Sequence, residues 1–309
     1  MTSAVVAAVD WGTSSLRVWL LDRDGGVLAG TRSAEGMEAA RETGFGAVLE
    51  RMLGELGAAA DLPAIICGMA GARQGWIEAP YVDVPCPLDS VLGGAVHVSG
   101  IDRDVRIVPG LAQRDPHAPD VMRGEETQLA GAAPFGSEPT LACLPGTHSK
   151  WVSIRDGRVT GFRTFITGDH YAALAGHTIL RHSLDGAAAV DPAAPAFADG
   201  VRRGIGASGD VGPSLFAVRA GGLLHGQDAD ASASLLSGLL IGGEIASALR
   251  LFGAVGTVTL IASGRLADLY AAAFATARMG NSIVDADEAV RRGLFAAAGQ
   301  AGLIGGGWT

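Results

Sequence analysis

The sequence predicts an α/β protein with mixed sheets, organised as two related lobes. Three observations predict it. A strand, a Gly-Thr-x-Ser turn, a strand, an Asp-Gly turn and a third strand occur near the N-terminus and again in the second half of the chain. Each set of hairpins is followed by helix-period segments alternating with short apolar runs. Hairpins first and crossovers later mix antiparallel with parallel pairing in one sheet. The chain has 309 residues with 48% hydrophobic and 18% charged content, enough to fill two cores and too apolar for disorder. The expected lobes are residues 1–133 and 134–309.

Taken in order, residues 4–9 read as a buried strand ending on Asp10, Gly12-Thr13-Ser14-Ser15 as a tight turn, 16–21 as a second strand and 27–32 as a third, after the turn Asp24-Gly25. Residues 38–56 read as one helix, because Phe45, Val48, Leu49, Met52, Leu53 and Leu56 fall on one face. The apolar strand 64–67 runs into a small-residue loop that abruptly carries Arg73, Gln74 and Trp76. Loops at strand ends of α/β folds hold ligand contacts. A short strand at 105–108 and a polar loop at 113–119 lead to a helix over 124–133, whose first turn holds Glu125 and Glu126. Acids there suit the helix dipole.

The second copy comprises an apolar run at 141–144, the turn Pro145-Gly146-Thr147-His148-Ser149, a strand at 150–154, the turn Asp156-Gly157 and a strand at 159–166. Beyond it the pattern predicts a helix at 171–180, a surface excursion over 185–212, a long helix at 232–251, a strand at 257–262, the turn Ser263-Gly264, a helix at 266–278, a strand at 281–284 and a helix at 287–298. Gly204-Ile-Gly-Ala-Ser-Gly209 matches G-x-G-x-x-G. No apolar strand precedes it, so a dinucleotide site is rejected.

The duplicated turns point to phosphate. Small residues let backbone N–H groups and hydroxyls approach phosphate oxygens. An acid at the strand end, Asp10, can hold Mg²⁺ through water, since Mg²⁺ prefers oxygen and keeps several waters. The second copy has Leu144-Pro145 in that place and need only donate hydrogen bonds. Two such turns facing each other are what a nucleotide triphosphate requires, although either alone is compatible with an ordinary hairpin. No Walker A sequence occurs, which excludes a P-loop kinase. The cradle candidates are therefore Gly12, Thr13, Ser14 and Ser15 on one side and Gly146, Thr147, His148 and Ser149 on the other, with Lys150 beside them. Arg17 either braces a phosphate or pairs with an acid.

With these residues in view the chain resembles the sugar kinase, hsp70 and actin superfamily. More narrowly it resembles the 2-dehydro-3-deoxygalactonokinase family, through VDWGTSSLRVWLLD, GMAGARQGWIEAPY, MRGEETQLAGA and LPGTHSKWV in that order. The resemblance implies two ribonuclease-H-like (actin-like ATPase) domains flanking an interdomain cleft, and use of ATP and Mg²⁺. It further implies phosphorylation of 2-dehydro-3-deoxygalactonate at its C6 hydroxyl in galactonate catabolism. Another small sugar or sugar-acid kinase, or an actin-like sensor or assembly protein, are the alternatives.

The family's base is an acid at the start of an interdomain helix, here Glu125 or Glu126, with Glu125 favoured. A sugar-acid carboxylate needs a cation. Arg73 is the candidate, with Arg163 and Lys150 as alternatives. Gln74 and Trp76 would shape the pocket, Glu35, Gly36 and Met37 would close it, and Asp169 is a further contact. The segment ending at Ser263 and Gly264 resembles the adenosine segment. Gly131 and Gly293 would let two helices cross closely.

The net charge of −9 argues against nucleic acid as a partner. Three dispersed cysteines read as buried free thiols in a reducing compartment, and the histidines show no zinc-ligand spacing. The apolar run at 235–241 reads as too short and Gly-rich to span a bilayer. A soluble cytoplasmic enzyme is expected, with a homodimer left open.

Overall fold

The computed structural model describes residues 3–135, 138–253 and 256–305. The chain divides into two compact units. One comprises Met1–Glu138, Ile154–Gly161 and Asp285–Thr309; the other comprises Pro139–Ser153 and Phe162–Val284. The expected halves are thus displaced by a return crossing. The C-terminal helix Ala286–Gln300 belongs with the first unit, as does the tip of the second hairpin, where Arg158 and Val159 pair with Pro87 and Cys86.

In the first unit the sheet order is Val27–Ser33, Leu16–Leu21, Val6–Trp11, Ala64–Gly68, Val105–Ile107, Val96–His97. The first three strands are antiparallel, and Val6–Trp11, Ala64–Gly68 and Val105–Ile107 run parallel. The second unit repeats this order: Arg158–Phe165, Ser149–Arg155, Thr140–Leu144, Thr257–Ile261, Gly280–Val284, with the last three parallel. Third, second, first, fourth, followed by one more parallel strand, is therefore the order shared by both sheets, as an internal repeat predicts; Val96–His97 adds an edge strand to the first sheet and Cys86–Pro87 one to the second. The central strands are buried on both faces. Val6, Ala7, Ala8 and Val9 have no exposed surface, which is why they read as a continuous apolar run rather than an alternating one.

Three expectations along the chain are corrected. The helix over 38–56 is two helices, Met37–Thr43 and Phe45–Glu55, because Gly44 adopts φ +91° between them. The expected apolar face is present: Phe45, Val48, Leu49, Met52 and Leu53 are all buried, and Leu56 is the half-buried residue just past the last turn.

The surface excursion over 185–212 is largely the helix Pro195–Gly206, which buries Phe197, Gly200, Val201 and Gly204. It lies directly against the long helix Ala229–Phe252. A methyl group on Gly200 would overlap the Leu235 carbonyl oxygen, and one on Gly238 the Phe197 carbonyl oxygen. Gly200 and Gly204, which read as loop and nucleotide-motif residues, are helix-crossing residues. A second crossing of this kind joins Glu125–Ala132 to Ala286–Gln300, where methyl groups on Gly131 and Gly293 would overlap the carbonyls of Ala289 and Thr127.

The helix Ala229–Phe252 also corrects the reading of its apolar run as too short, since by length and composition it could cross a bilayer. Here 67% of its apolar window is buried inside the protein. It is a core helix, started by the Asp228 carboxylate, which accepts the Ala231 N–H at 2.8 Å. Cys67, Cys86 and Cys143 are free and buried, as expected.

Because Gly200 and Gly238 meet backbone to backbone, Gly200→Ala forces the two helices apart. Overpacking of this kind costs about 1–3 kcal/mol. Urea unfolding is expected to show a lower midpoint with an unchanged slope; an unchanged midpoint would mean that the crossing tolerates a side chain.

Candidate active site

The first unit gathers residues distant in sequence around the end of the strand Val6–Trp11. Asp10 sits there, registered against Arg17 on one neighbouring strand and Cys67 on the other. The Arg17 guanidinium pairs with the Asp10 carboxylate and with Asp287, which also holds Arg32 at 2.6 Å. Burial pulls the Arg17 pKa down, but the two carboxylates outweigh it and leave it raised. Of the two roles open to Arg17, pairing with acids is the one seen. The turn beyond is closed by the Gly12 N–H donating to the Ser15 carbonyl at 2.8 Å, and it leaves Thr13, Ser14 and Ser15 exposed.

The Glu35-Gly36-Met37 segment lies on this turn. The Met37 N–H donates to the Gly12 carbonyl at 2.9 Å and the Glu38 N–H to that of Thr13 at 3.2 Å. A side chain on Gly36 would overlap the Thr13 carbonyl and the Ser14 nitrogen. Glu35 is held by the Ser33 hydroxyl at 2.9 Å and by Arg51, and Met37 is buried. These residues shape the turn's flank, and the Glu35 carboxylate is already engaged.

The helix Glu125–Ala132 starts beside Asp10. A methyl group on Gly124 would sit 3.5 Å from the Gly68 Cα, and one on Gly68 3.5 Å from Asp10 Oδ1. The Cys67 thiol is 3.7 Å from Asp10 Oδ1; burial first, then Asp10 and Glu126, push its pKa well up. The two acids differ in role. Glu126 is fully buried and accepts from the Gly124 N–H at 2.7 Å and the Thr127 hydroxyl at 2.9 Å, so it closes its own helix start. Burial, then its neighbour Glu125, raises its pKa to about 7. Glu125 is partly exposed and accepts from the Arg123 N–H at 3.0 Å.

In the loop after the strand Ala64–Gly68, Arg73 and Gln74 are exposed, whereas Trp76 turns inward. It stacks on Phe45 with ring centroids 5.9 Å apart and meets Trp11 edge-on at 6.2 Å. Trp76 therefore anchors the loop to the core. Arg123, missed in the sequence, braces the same loop. Its guanidinium lies 4.4 Å over the Tyr81 ring and donates to the Ala79 carbonyl at 2.8 Å, while Nε and Nη1 are buried without a hydrogen-bond partner. Its place directly before Gly124-Glu125 was the available signal.

The second unit builds the other turn. Gly168 packs on Gly146 and Thr147, where a methyl group would come within 2.7 Å of the Thr147 Cα. The Asp169 N–H donates to the Thr147 carbonyl at 3.3 Å, and its carboxylate meets His148 Nε2 at 2.7 Å. Asp169, expected at the acceptor, thus belongs to this turn. Thr147 and His148 are exposed. Ser149 and Lys150, expected at the phosphates, are buried in the strand, and the Ser149 hydroxyl faces Tyr270 at 2.9 Å. Next to the turn is a cavity of about 390 Å³ lined by Gly146, Tyr171, Ser237, Arg265, Leu266 and Leu269 among others. Arg265 and Leu266 directly follow Ser263 and Gly264, which open the helix Gly264–Thr276.

The Glu126 environment gives a pH signature. Its folded pKa of about 7 lies above the unfolded value of 4.5, so the folded state holds the extra proton between them and stability falls as pH rises through that window. Glu126→Gln removes the titration. Relative to the parent, it is expected to gain up to about 3 kcal/mol between pH 5 and pH 8, read by urea unfolding at both values. Parallel pH profiles would show that Glu126 does not titrate there.

The chain is similar to known proteins over nearly its whole length. Residues 10–297 match the family model described as 2-keto-3-deoxy-galactonokinase. A Rhizobium meliloti (strain 1021) protein described as a probable 2-dehydro-3-deoxygalactonokinase is 52% identical over 298 residues, covering 96% of this chain and 97% of the relative. The 2-dehydro-3-deoxygalactonokinase of Escherichia coli (strain K12) is 33% identical over 296 residues, covering 95% and 97%. A crystal structure of a Sinorhizobium meliloti protein described as a 2-dehydro-3-deoxygalactonokinase superposes with a TM-score of 0.92 at 52% identity, covering 95% of this chain and 98% of that one. The activator of 2-hydroxyisocaproyl-CoA dehydratase from Clostridium difficile, at 12% identity and a TM-score of 0.50 over 97% and 96% of the chains, shares the fold. A family match over nearly the whole length, with the acid, the turns and the helix start all inside it, leads to one assignment: this chain belongs to the 2-keto-3-deoxy-galactonokinase family.

Proposed function

We propose that this chain transfers the γ-phosphoryl group of ATP to the C6 hydroxyl of 2-dehydro-3-deoxygalactonate, giving 2-dehydro-3-deoxy-6-phosphogalactonate in the cytoplasm. The observation that carries the reading is the convergence in the first unit of Asp10, the exposed Thr13-Ser14-Ser15 turn and the partly exposed Glu125. Phosphoryl transfer asks a protein mainly to position groups and balance charge. We read each unit as ribonuclease-H-like, because both sheets share the core order third, second, first, fourth and then a further parallel strand.

The residues fit ATP and Mg²⁺. The cavity beside Gly146 has the size and apolar lining of a small-molecule site, with Arg265 at its rim to meet a polar group, and it suits an adenosine. No group of three metal-ligating side chains occurs among the described residues, which suits Mg²⁺ held by one carboxylate, water and phosphate oxygens rather than a protein cage. Asp10 would hold it, releasing part of its pairing with Arg17, and Arg17 would then be free to turn toward a phosphate. The bound ion supplies charge neutralisation at the phosphates.

Glu125 accepts the proton of the sugar hydroxyl as the oxygen attacks. Glu126 is buried and committed to the helix start, so it fixes the helix rather than reaching substrate. Arg73 is exposed, and the loop that carries it is anchored by Trp76 and Arg123, which suits it to hold the substrate carboxylate. The second turn donates from Gly146 and Thr147, with His148 and Asp169 fixing its shape.

Acceptor-dependent ADP release across a panel of sugar acids tests the assignment. Preference for 2-dehydro-3-deoxygalactonate supports it, preference for another sugar moves it within the fold, and ATP turnover without any acceptor removes it. Glu125→Gln is expected to lower kcat by about 10²- to 10⁴-fold with smaller changes in either KM; full turnover at saturating substrate would exclude Glu125 as the base. Arg73→Ala is expected to raise the acceptor KM and leave the ATP KM nearly unchanged, while the reverse pattern would reassign Arg73 to the nucleotide.

A further inference from the structure

Glu244 lies in the middle of the helix Ala229–Phe252, flanked by Leu240, Ile241, Gly242, Gly243 and Ile245, and is only 4% exposed. A carboxylate in such a place costs several kcal/mol of desolvation, and burying it is a poor way to gain stability. Both of its oxygens accept hydrogen bonds. Trp151 Nε1 donates to Oε1 at 2.7 Å, the Tyr270 hydroxyl donates to Oε2 at 2.8 Å, and the Thr167 hydroxyl donates to Oε2 as well.

These three donors come from three elements. Trp151 is on the strand Ser149–Arg155, which leaves the second turn. Thr167 opens the helix Thr167–His177, and its next residues, Gly168 and Asp169, pack on and bond to Gly146 and Thr147. Tyr270 is on the helix Gly264–Thr276, whose first residues line the cavity, and its hydroxyl also meets that of Ser149 at 2.9 Å. Thr167 and Tyr270 themselves line the cavity. One buried carboxylate therefore ties the turn, the helix that flanks it and the helix that walls the cavity to a single point.

We propose that Glu244 is a positioning residue for the nucleotide: it sets the register between the Gly146-Thr147 turn, which meets the phosphates, and the cavity, which takes the nucleoside. This rests on reading that turn and cavity as the ATP site. An apolar residue of similar volume would pack the helix core, but it could not hold three elements at fixed angles. The carboxylate touches neither substrate nor reacting atoms, so its effect falls on nucleotide binding more than on the chemical step.

Steady-state kinetics on Glu244→Gln and Tyr270→Phe test this, with circular dichroism and melting curves to confirm folding. Gln keeps the volume of Glu244 but removes one acceptor; Phe removes only the hydroxyl that links Glu244 to Ser149. Each folded variant is expected to raise the ATP KM about tenfold or more, as loss of a hydrogen bond to a charged group does, with the acceptor KM within about twofold. The double variant is expected to be little worse than the more affected single one, because both cut the same connection. Should Glu244→Gln fail to fold, Tyr270→Phe decides alone. Folded variants with an unchanged ATP KM would overturn the proposal, as would equal rises in both KM values.

A cavity-wall variant separates the two layers of the argument. Leu266→Trp narrows the cavity and removes none of the donors to Glu244. If it raises the ATP KM and Glu244→Gln and Tyr270→Phe do not, the positioning role alone falls. If it leaves the ATP KM unchanged, the nucleotide reading of the cavity falls and the role of Glu244 falls with it.

Discussion

The carboxylate of Asp10 is the fixed point of the first unit. Its backbone is clamped between an antiparallel and a parallel neighbour, and its side chain is gripped by Arg17, which Asp287 holds from the other side. The pairing brings residue 287 of the C-terminal helix onto the first hairpin, so the last element of the chain is part of the first unit's site. An anion at a strand end, held by a cation that is itself held by an anion, is a charge arrangement that a bound metal or phosphate can re-partition without unfolding anything.

The two turns and the start of the helix Glu125–Ala132 depend as much on what is missing as on what is present. Gly36 has no side chain where the turn Thr13-Ser14 passes, Gly68 and Gly124 have none where the Glu125 helix begins near Asp10, and Gly168 has none over the second turn. Backbone therefore touches backbone, and the positions of the turns are set by main-chain hydrogen bonds instead of side-chain rotamers. Close approach of this kind leaves little room for drift, which is what a site that works by positioning requires.

The two acids that open the helix Glu125–Ala132 show how adjacent residues are given different jobs. Successive helical residues point about 100° apart. One carboxylate faces inward, loses water and closes the helix start; the other keeps solvent access. Buried Glu244 follows the same logic in the second unit, where a carboxylate is used to hold parts at fixed positions.

The sequence by itself determined the duplicated hairpins, the apolar face of Phe45–Glu55, the acid at the end of the first strand and the family. These depend on local turn chemistry, period and motif order, all of which lie within a few neighbouring residues. Only the tertiary structure decided that Gly200 and Gly204 belong to a helix crossing rather than a loop, that Trp76 is an anchor, that Ser149 faces Tyr270, and that Arg123, Asp287 and Glu244 matter. The physical reason is the same for each. A glycine reads as flexible until another backbone is seen against it, and a polar side chain gains its role only from partners brought near it by folding, from as far as 270 positions away for Arg17 and Asp287.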